Sequence, residues 1–105
     1  MSSCYLYAIG PENNGPIKIG FSKNPKRRIK SLQTSHPETL VIHCVVEFET
    51  DKAKYLERFI HRDINYKRTK GEWFDMSPED AKGTLEFFRI HYEDKSLNEI
   101  KLLTK

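Results

Sequence analysis

The order of periodicities along this chain predicts an α+β domain: a small mixed β-sheet opened by an antiparallel hairpin and flanked by three or four helices. Three observations carry that expectation. Two short apolar runs flank a loop crowded with turn-forming residues, the pattern of a hairpin. A long β-branched run follows the first helical segment. Two later segments open on N-cap residues and continue with apolar positions at helical spacing.

Cys4 to Ile9 is apolar and aromatic, as a strand should be. Gly10-Pro11-Glu12-Asn13-Asn14-Gly15-Pro16 then supplies the hairpin loop. Ile17 to Phe21 reads as the second strand, with Ile17, Ile19 and Phe21 on one face and Lys18 and Gly20 on the other. Asn24-Pro25 starts a helix, Asn as N-cap and Pro at the first helical position. That helix runs to about Gln33, burying Ile29 and Leu32 while its other side stays basic. Thr39 to Phe48 is β-branched enough to predict a central strand. Thr50 or Asp51 is expected to cap a helix over residues 52–65, with Ala53, Leu56, Ile60 and Ile64 at core spacing. Lys67 to Gly71 reads as a polar loop, and Glu72-Trp73-Phe74 as a short strand whose two aromatics close the core. Ser77-Pro78-Glu79-Asp80 opens a helix that continues to about Tyr92 through Leu85, Phe87 and Phe88. Ser96 caps a last short helix with Leu97, Ile100 and Leu103 on one side.

A chain of 105 residues has room for one domain, here 1–105, with its core at about 4–75 and a helical extension at about 77–105. A hydrophobic fraction of 37% is enough for a packed fold, which excludes wholesale disorder. No apolar run approaches the ~20 residues needed to span a bilayer, so no membrane partner is expected. The first residues lack a charged stretch followed by an apolar one, so the expected location is the cytoplasm, without a secretory signal. Cys4 and Cys44 fall in apolar strands without metal-ligand spacing and read as small buried thiols.

The net charge is only +3, but it is unevenly spread. Residues 1–37 carry Lys18, Lys23, Lys26, Arg27, Arg28 and Lys30 against Glu12 alone. That third of the chain predicts a polyanionic partner, nucleic acid above all, with Lys23, Lys26, Arg27 and Lys30 on phosphates.

Tyr7, Lys18 and Arg28 come from three consecutive elements and could converge on one spot. A phenol, an ammonium and a guanidinium there would suit a phosphate and the proton transfers around it. Taken singly, each has an ordinary role as a packing ring or a solvated cation. Glu57 and His61 are four apart on the second long helix and share a face. That pair is too sparse for a closed structural zinc site. A single carboxylate suits Mg²⁺, which keeps most of its waters and borrows the substrate phosphate. His61 is otherwise a helix-surface histidine, and Glu72 is either a partner for a basic neighbour or a second metal ligand. His36, His43 and His91 show no ligand spacing.

Leu6-Tyr7, Ile19-Gly20, Arg28 eight residues beyond Gly20, Glu57 and Gly71-Glu72-Trp73-Phe74 occur in an order that resembles the GIY-YIG nuclease superfamily over residues 4–75. Tyr5 stands where that pattern usually has glycine, and Lys18 where it has the second tyrosine. The Lys18-Ile19-Gly20 triplet and the terminal Glu-Trp-Phe look like one branch, common in bacteriophages and in meiotically up-regulated fungal genes. The resemblance implies a DNA endonuclease using one divalent metal, Mg²⁺ or Mn²⁺, anchored by Glu57. It further implies Tyr7 or Lys18 as general base, Arg28 on the scissile phosphate and His61 beside the site. Two alternatives stand next to it: a non-catalytic nucleic-acid-binding module of the same fold, and a protein-interaction domain of a phage or mobile element.

Overall fold

A computed structural model describes residues 2–104, so the first and last positions of the expected domain lie outside the described residues. The elements are β1 (Ser3–Pro11), β2 (Ile17–Ser22), α1 (Pro25–Gln33), β3 (Leu40–Glu49), α2 (Thr50–Asp63), a single 3-10 turn (Asn65–Lys67), β4 (Arg68–Lys70), β5 (Trp73–Phe74), α3 (Pro78–Tyr92) and α4 (Leu97–Leu103). The class is α+β, as expected. The five strands lie in the order β3-β1-β2-β5-β4. Every pairing is antiparallel, so the sheet is not mixed. β3, expected at the centre, is an edge strand. Its apolar run is explained by helices rather than strands, since α3 packs on one side of it and α1 on the other.

Period-two alternation divides β1 and β2 between two cores. Cys4, Leu6, Ala8, Ile17 and Ile19 join Ala53, Leu56 and Ile60 of α2 and Leu85 and Phe88 of α3 in the main cluster. The opposite face of the sheet carries a smaller cluster of Tyr7, Ile9 and Leu40, against which Ile29, Leu32 and Trp73 pack. Trp73 therefore closes the minor face, where it stacks on His36, and only Phe74 closes the main core. Phe87, expected inside, is half exposed because Leu85 and Phe88 already fill the buried stripe of α3. The stretch expected as a loop at 67–71 holds β4 instead, turning at Gly71, whose φ of 57° favours glycine.

The helix starts are decided locally. Asn24 accepts a hydrogen bond from the Arg27 amide at 3.1 Å, Ser77 accepts one from Asp80, and Ser96 and Glu99 form a reciprocal capping box. α2 departs from expectation: Glu49 occupies the cap position without a side-chain bond, and Thr50 is already helical. The Thr50 hydroxyl instead bonds the Ser2 hydroxyl at 2.7 Å. Both cysteines are buried free thiols. Among the described residues, no helix is long and apolar enough to cross a membrane.

Candidate nucleic-acid interface and carboxylate cluster

The site is organised by a gap at one edge of β2. β5 pairs with β2 only at Ile17 and Lys18, with one further bond from the Ile19 amide to the Glu72 carbonyl at 3.2 Å. Beyond that point β2 has exposed backbone groups to satisfy. α2 supplies the partners. His61 Nε2 meets the Ile19 carbonyl at 2.7 Å, and the Phe21 backbone lies close enough to Glu57 to favour its charged form. Side chains from the two faces of the sheet can thus meet around the open edge. Glu57 and His61 arrive from the α2 side, Tyr7 and Lys18 from the α1 side.

On the α1 side, Tyr7 lies opposite Gly20 in the β1–β2 register. A Cβ on Gly20 would stand 2.5 Å from the Tyr7 hydroxyl, so the ring lies directly over the glycine. Arg28 reaches down from α1 and donates from Nε to that hydroxyl at 3.4 Å. Lys18 is buried, forms an ion pair with Glu72 at 2.9 Å and lies 5.7 Å from the centre of the Trp73 ring. The structure brings Tyr7 and Arg28 together, while Lys18, on the same face of the hairpin, is turned to Glu72 and Trp73.

Burial pushes the Tyr7 phenol above its usual pKa, and the Arg28 hydrogen bond and charge only partly offset it. Desolvation of a ring sandwiched between two strands and a helix outweighs one guanidinium. Glu57 is pushed up to about 7, first by burial and then by the like charge of Glu72, against the pull of Lys18. His61 is lowered by burial, partly countered by its bond to Ile19. A carbonyl only accepts, so Nε2 carries the proton. The neutral ring then turns the Nδ1 lone pair toward Glu57 Oε1, 3.9 Å away.

Glu57, His61 and Glu72 each bring one ligand atom to a common point, all within 4.8 Å of one another. Two oxygen donors and one unprotonated imidazole nitrogen fit a divalent cation. A cation would offset the burial and the Glu72 charge that together raise the Glu57 pKa to about 7. The sequence placed Glu57 here as the metal ligand; it left His61 and Glu72 as open choices, and folding joins all three. The carboxylates suit Mg²⁺ or Mn²⁺, while the imidazole widens the choice to later first-row metals. Glu72, whose side chain is 41% exposed, is shared between Lys18 and this cluster.

Lys23, Lys26, Arg27 and Lys30 are exposed along β2's end and α1, and no acidic side chain occupies the first turn of that helix. A groove lined by Ser22, Lys23, Asn24, Arg27, Arg28 and Ser31 runs over the start of α1. Residues 4–90 match the model of the T5orf172 domain. The chain belongs to the T5orf172 domain family. This corrects the resemblance to the GIY-YIG nuclease superfamily drawn from motif spacing. Five short pieces in order, two of them triplets that depart from the pattern at Tyr5 and Lys18, carry too little information to assign a superfamily. The T5orf172 match instead spans both faces of the sheet and α3. The chain is also similar to a KilA-N domain-containing protein, 315L, of Invertebrate iridescent virus 6, with 34% identity over 61 residues. That alignment covers 57% of this chain but only 26% of the viral protein, so the T5orf172 chain corresponds to a fraction of that relative. No solved structure matches the chain.

Proposed function

We propose that this T5orf172 domain is a nucleic-acid-binding module of phage or viral type, with DNA as its partner and the cytoplasm as its location. The observation that carries this reading is the basic face of α1, with Lys23, Lys26, Arg27 and Lys30 exposed around Arg28. A phosphate held by Arg28 would lie against the Tyr7 hydroxyl, and its neighbours along a strand would meet the flanking lysines. The family match and the likeness to a KilA-N domain-containing viral protein support the same reading.

A second reading, metal-dependent hydrolysis of phosphodiesters, is favoured by one observation: a carboxylate–imidazole–carboxylate cluster beside a basic face. A binding surface for polyanions gains nothing from two carboxylates at its edge. On this reading Glu57, His61 and Glu72 would hold the cation, Mg²⁺ or Mn²⁺. Its chemistry is Lewis-acid polarisation of a phosphoryl oxygen. Arg28 would orient the phosphate and offset charge gathered on it. Tyr7, a phenol rather than a phenolate, would orient the attacking water, and Lys18 would remain in ion-pair contact with Glu72 unless the cation takes that carboxylate.

One experiment separates the readings. The protein is incubated with single-stranded, duplex and branched DNA in Mg²⁺, Mn²⁺ or EDTA, and both binding and products are followed. Binding without products supports the module. Products that need metal and fall at least ~10²-fold in Glu57→Ala support hydrolysis. Neither binding nor products at low salt would overturn both and leave a protein-interaction domain.

A further inference from the structure

A second groove opens on the α1 side of the sheet, next to the phosphate groove but different in character. It has a volume of about 490 Å³ and is lined by Tyr5, Ile42 and Val45 from the strands and by Lys23, Asn24, Pro25 and Lys26 at the start of α1. Tyr5 and Tyr7 are two apart on β1 and share a face, so this groove lies one step along the strand from the Tyr7–Arg28 contact. Lys23 and Asn24 line both grooves, so the two adjoin across these residues. Val45 is 42% exposed and faces the same side, an apolar wall open to solvent.

We propose that this groove is a nucleobase slot, and that the module takes a strand with at least one unpaired base beside the phosphate held at Arg28. The inference rests on the nucleic-acid reading above and names its substrate class. The occupant follows from chemistry and from the adjoining phosphate groove. An aromatic ring with aliphatic side chains matches the flat apolar faces of a base. Lys23 and Lys26 stand where the phosphates on either side of that base would run. Glu47, opposite Tyr5 in the sheet register, is the acidic neighbour and leaves the far end unsuited to a phosphate. The larger groove between α2 and α3, about 650 Å³, is rimmed by Asp63, Glu79 and Asp80, the wrong sign for a polyanion. A paired base in a duplex keeps its faces stacked on its neighbours and cannot enter the slot.

The test compares wild type, Tyr5→Ala and Tyr5→Phe for binding to a labelled single-stranded DNA decamer, the same decamer built of abasic sugar-phosphate, and a blunt duplex. Wild type should prefer the base-bearing single strand. Tyr5→Ala should lose about 5- to 150-fold on that strand, the usual worth of one stacking contact, with little change on the abasic strand or the duplex. Tyr5→Phe should retain binding, and all three proteins should melt alike. Equal binding of Tyr5→Ala and wild type to the base-bearing strand would overturn the slot while leaving the nucleic-acid reading in place. Equal losses on all three ligands would also overturn it, since they would show a structural role for Tyr5. No affinity of wild type for any of the three would overturn both.

Discussion

Tyr7 and Lys18 sit on the same face of the opening hairpin, yet their surroundings differ in a way that ranks them. The Lys18 ammonium is occupied by Glu72 at 2.9 Å, whereas the Tyr7 hydroxyl lies beside the Arg28 guanidinium. If the domain hydrolyses phosphodiesters, Tyr7→Phe should lower the rate by roughly 10²–10⁴-fold, the worth of a positioned acid–base group. Lys18→Arg keeps the charge facing Glu72 and should be the milder variant. Single-turnover rates of the two folded variants check this; the reverse order would make Lys18 the group that handles the proton. Glu57 needs no such comparison, because among the described residues it is the one carboxylate that reaches the cluster from α2, the helix whose His61 also bonds the β2 edge.

The hairpin and α2 are the elements that hold these side chains in register. Gly20 is the tightest point, since any Cβ there meets the buried Tyr7 ring. Gly20→Ala should therefore displace Tyr7 and cost about 1–3 kcal/mol, as overpacking does. Urea unfolding measures it; a loss well below that range would mean that the ring has room to move. This element-level logic was only partly legible in the sequence. The alternation Ile17, Ile19, Phe21 against Lys18, Gly20 divides the two faces of β2 as observed, and Asn24-Pro25 marks the start of α1. The edge position of β3 was not legible, because a run of Val and Ile looks the same whether strands or helices cover it. The pairing of His61 with the Ile19 carbonyl depends on where β5 stops, a tertiary fact without a local signal. The stacking of His36 on Trp73 was hidden for the same reason, whereas both roles offered for Glu72, a partner for a basic neighbour and a member of a ligand cluster, were open in the sequence.

At the scale of the whole molecule, the carboxylate cluster ties stability to pH and to cations. Glu57 has its pKa raised in the fold from 4.5 to about 7, so between these values the native protein binds more protons than the unfolded chain. Stability from this group is full below about 4.5 and falls as pH rises toward 7, by roughly 3 kcal/mol at most. His61, lowered from 6.5, acts the other way: the fold disfavours its protonation, so stability falls as pH drops below 6.5. The difference between wild type and Glu57→Gln isolates the glutamate. In EDTA, wild type should lose Tm relative to Glu57→Gln between pH 5 and pH 8. Mn²⁺ or Mg²⁺ should restore wild type at pH 8 and leave the variant unmoved. Parallel Tm curves for the two proteins, with and without metal, would show that the cluster neither titrates nor binds.

The central claim is that the basic face of this T5orf172 domain engages the phosphates of a nucleic acid. Equilibrium binding of a labelled single-stranded oligonucleotide across a salt series tests it most directly. With about four of Lys23, Lys26, Arg27, Arg28 and Lys30 engaged, log K should fall against log salt with a slope near −3, and removing Arg27 and Lys30 together should flatten it by roughly 1.4. A slope near zero, or no affinity at low salt, would contradict the claim and leave the charges of α1 as a solvated helix face.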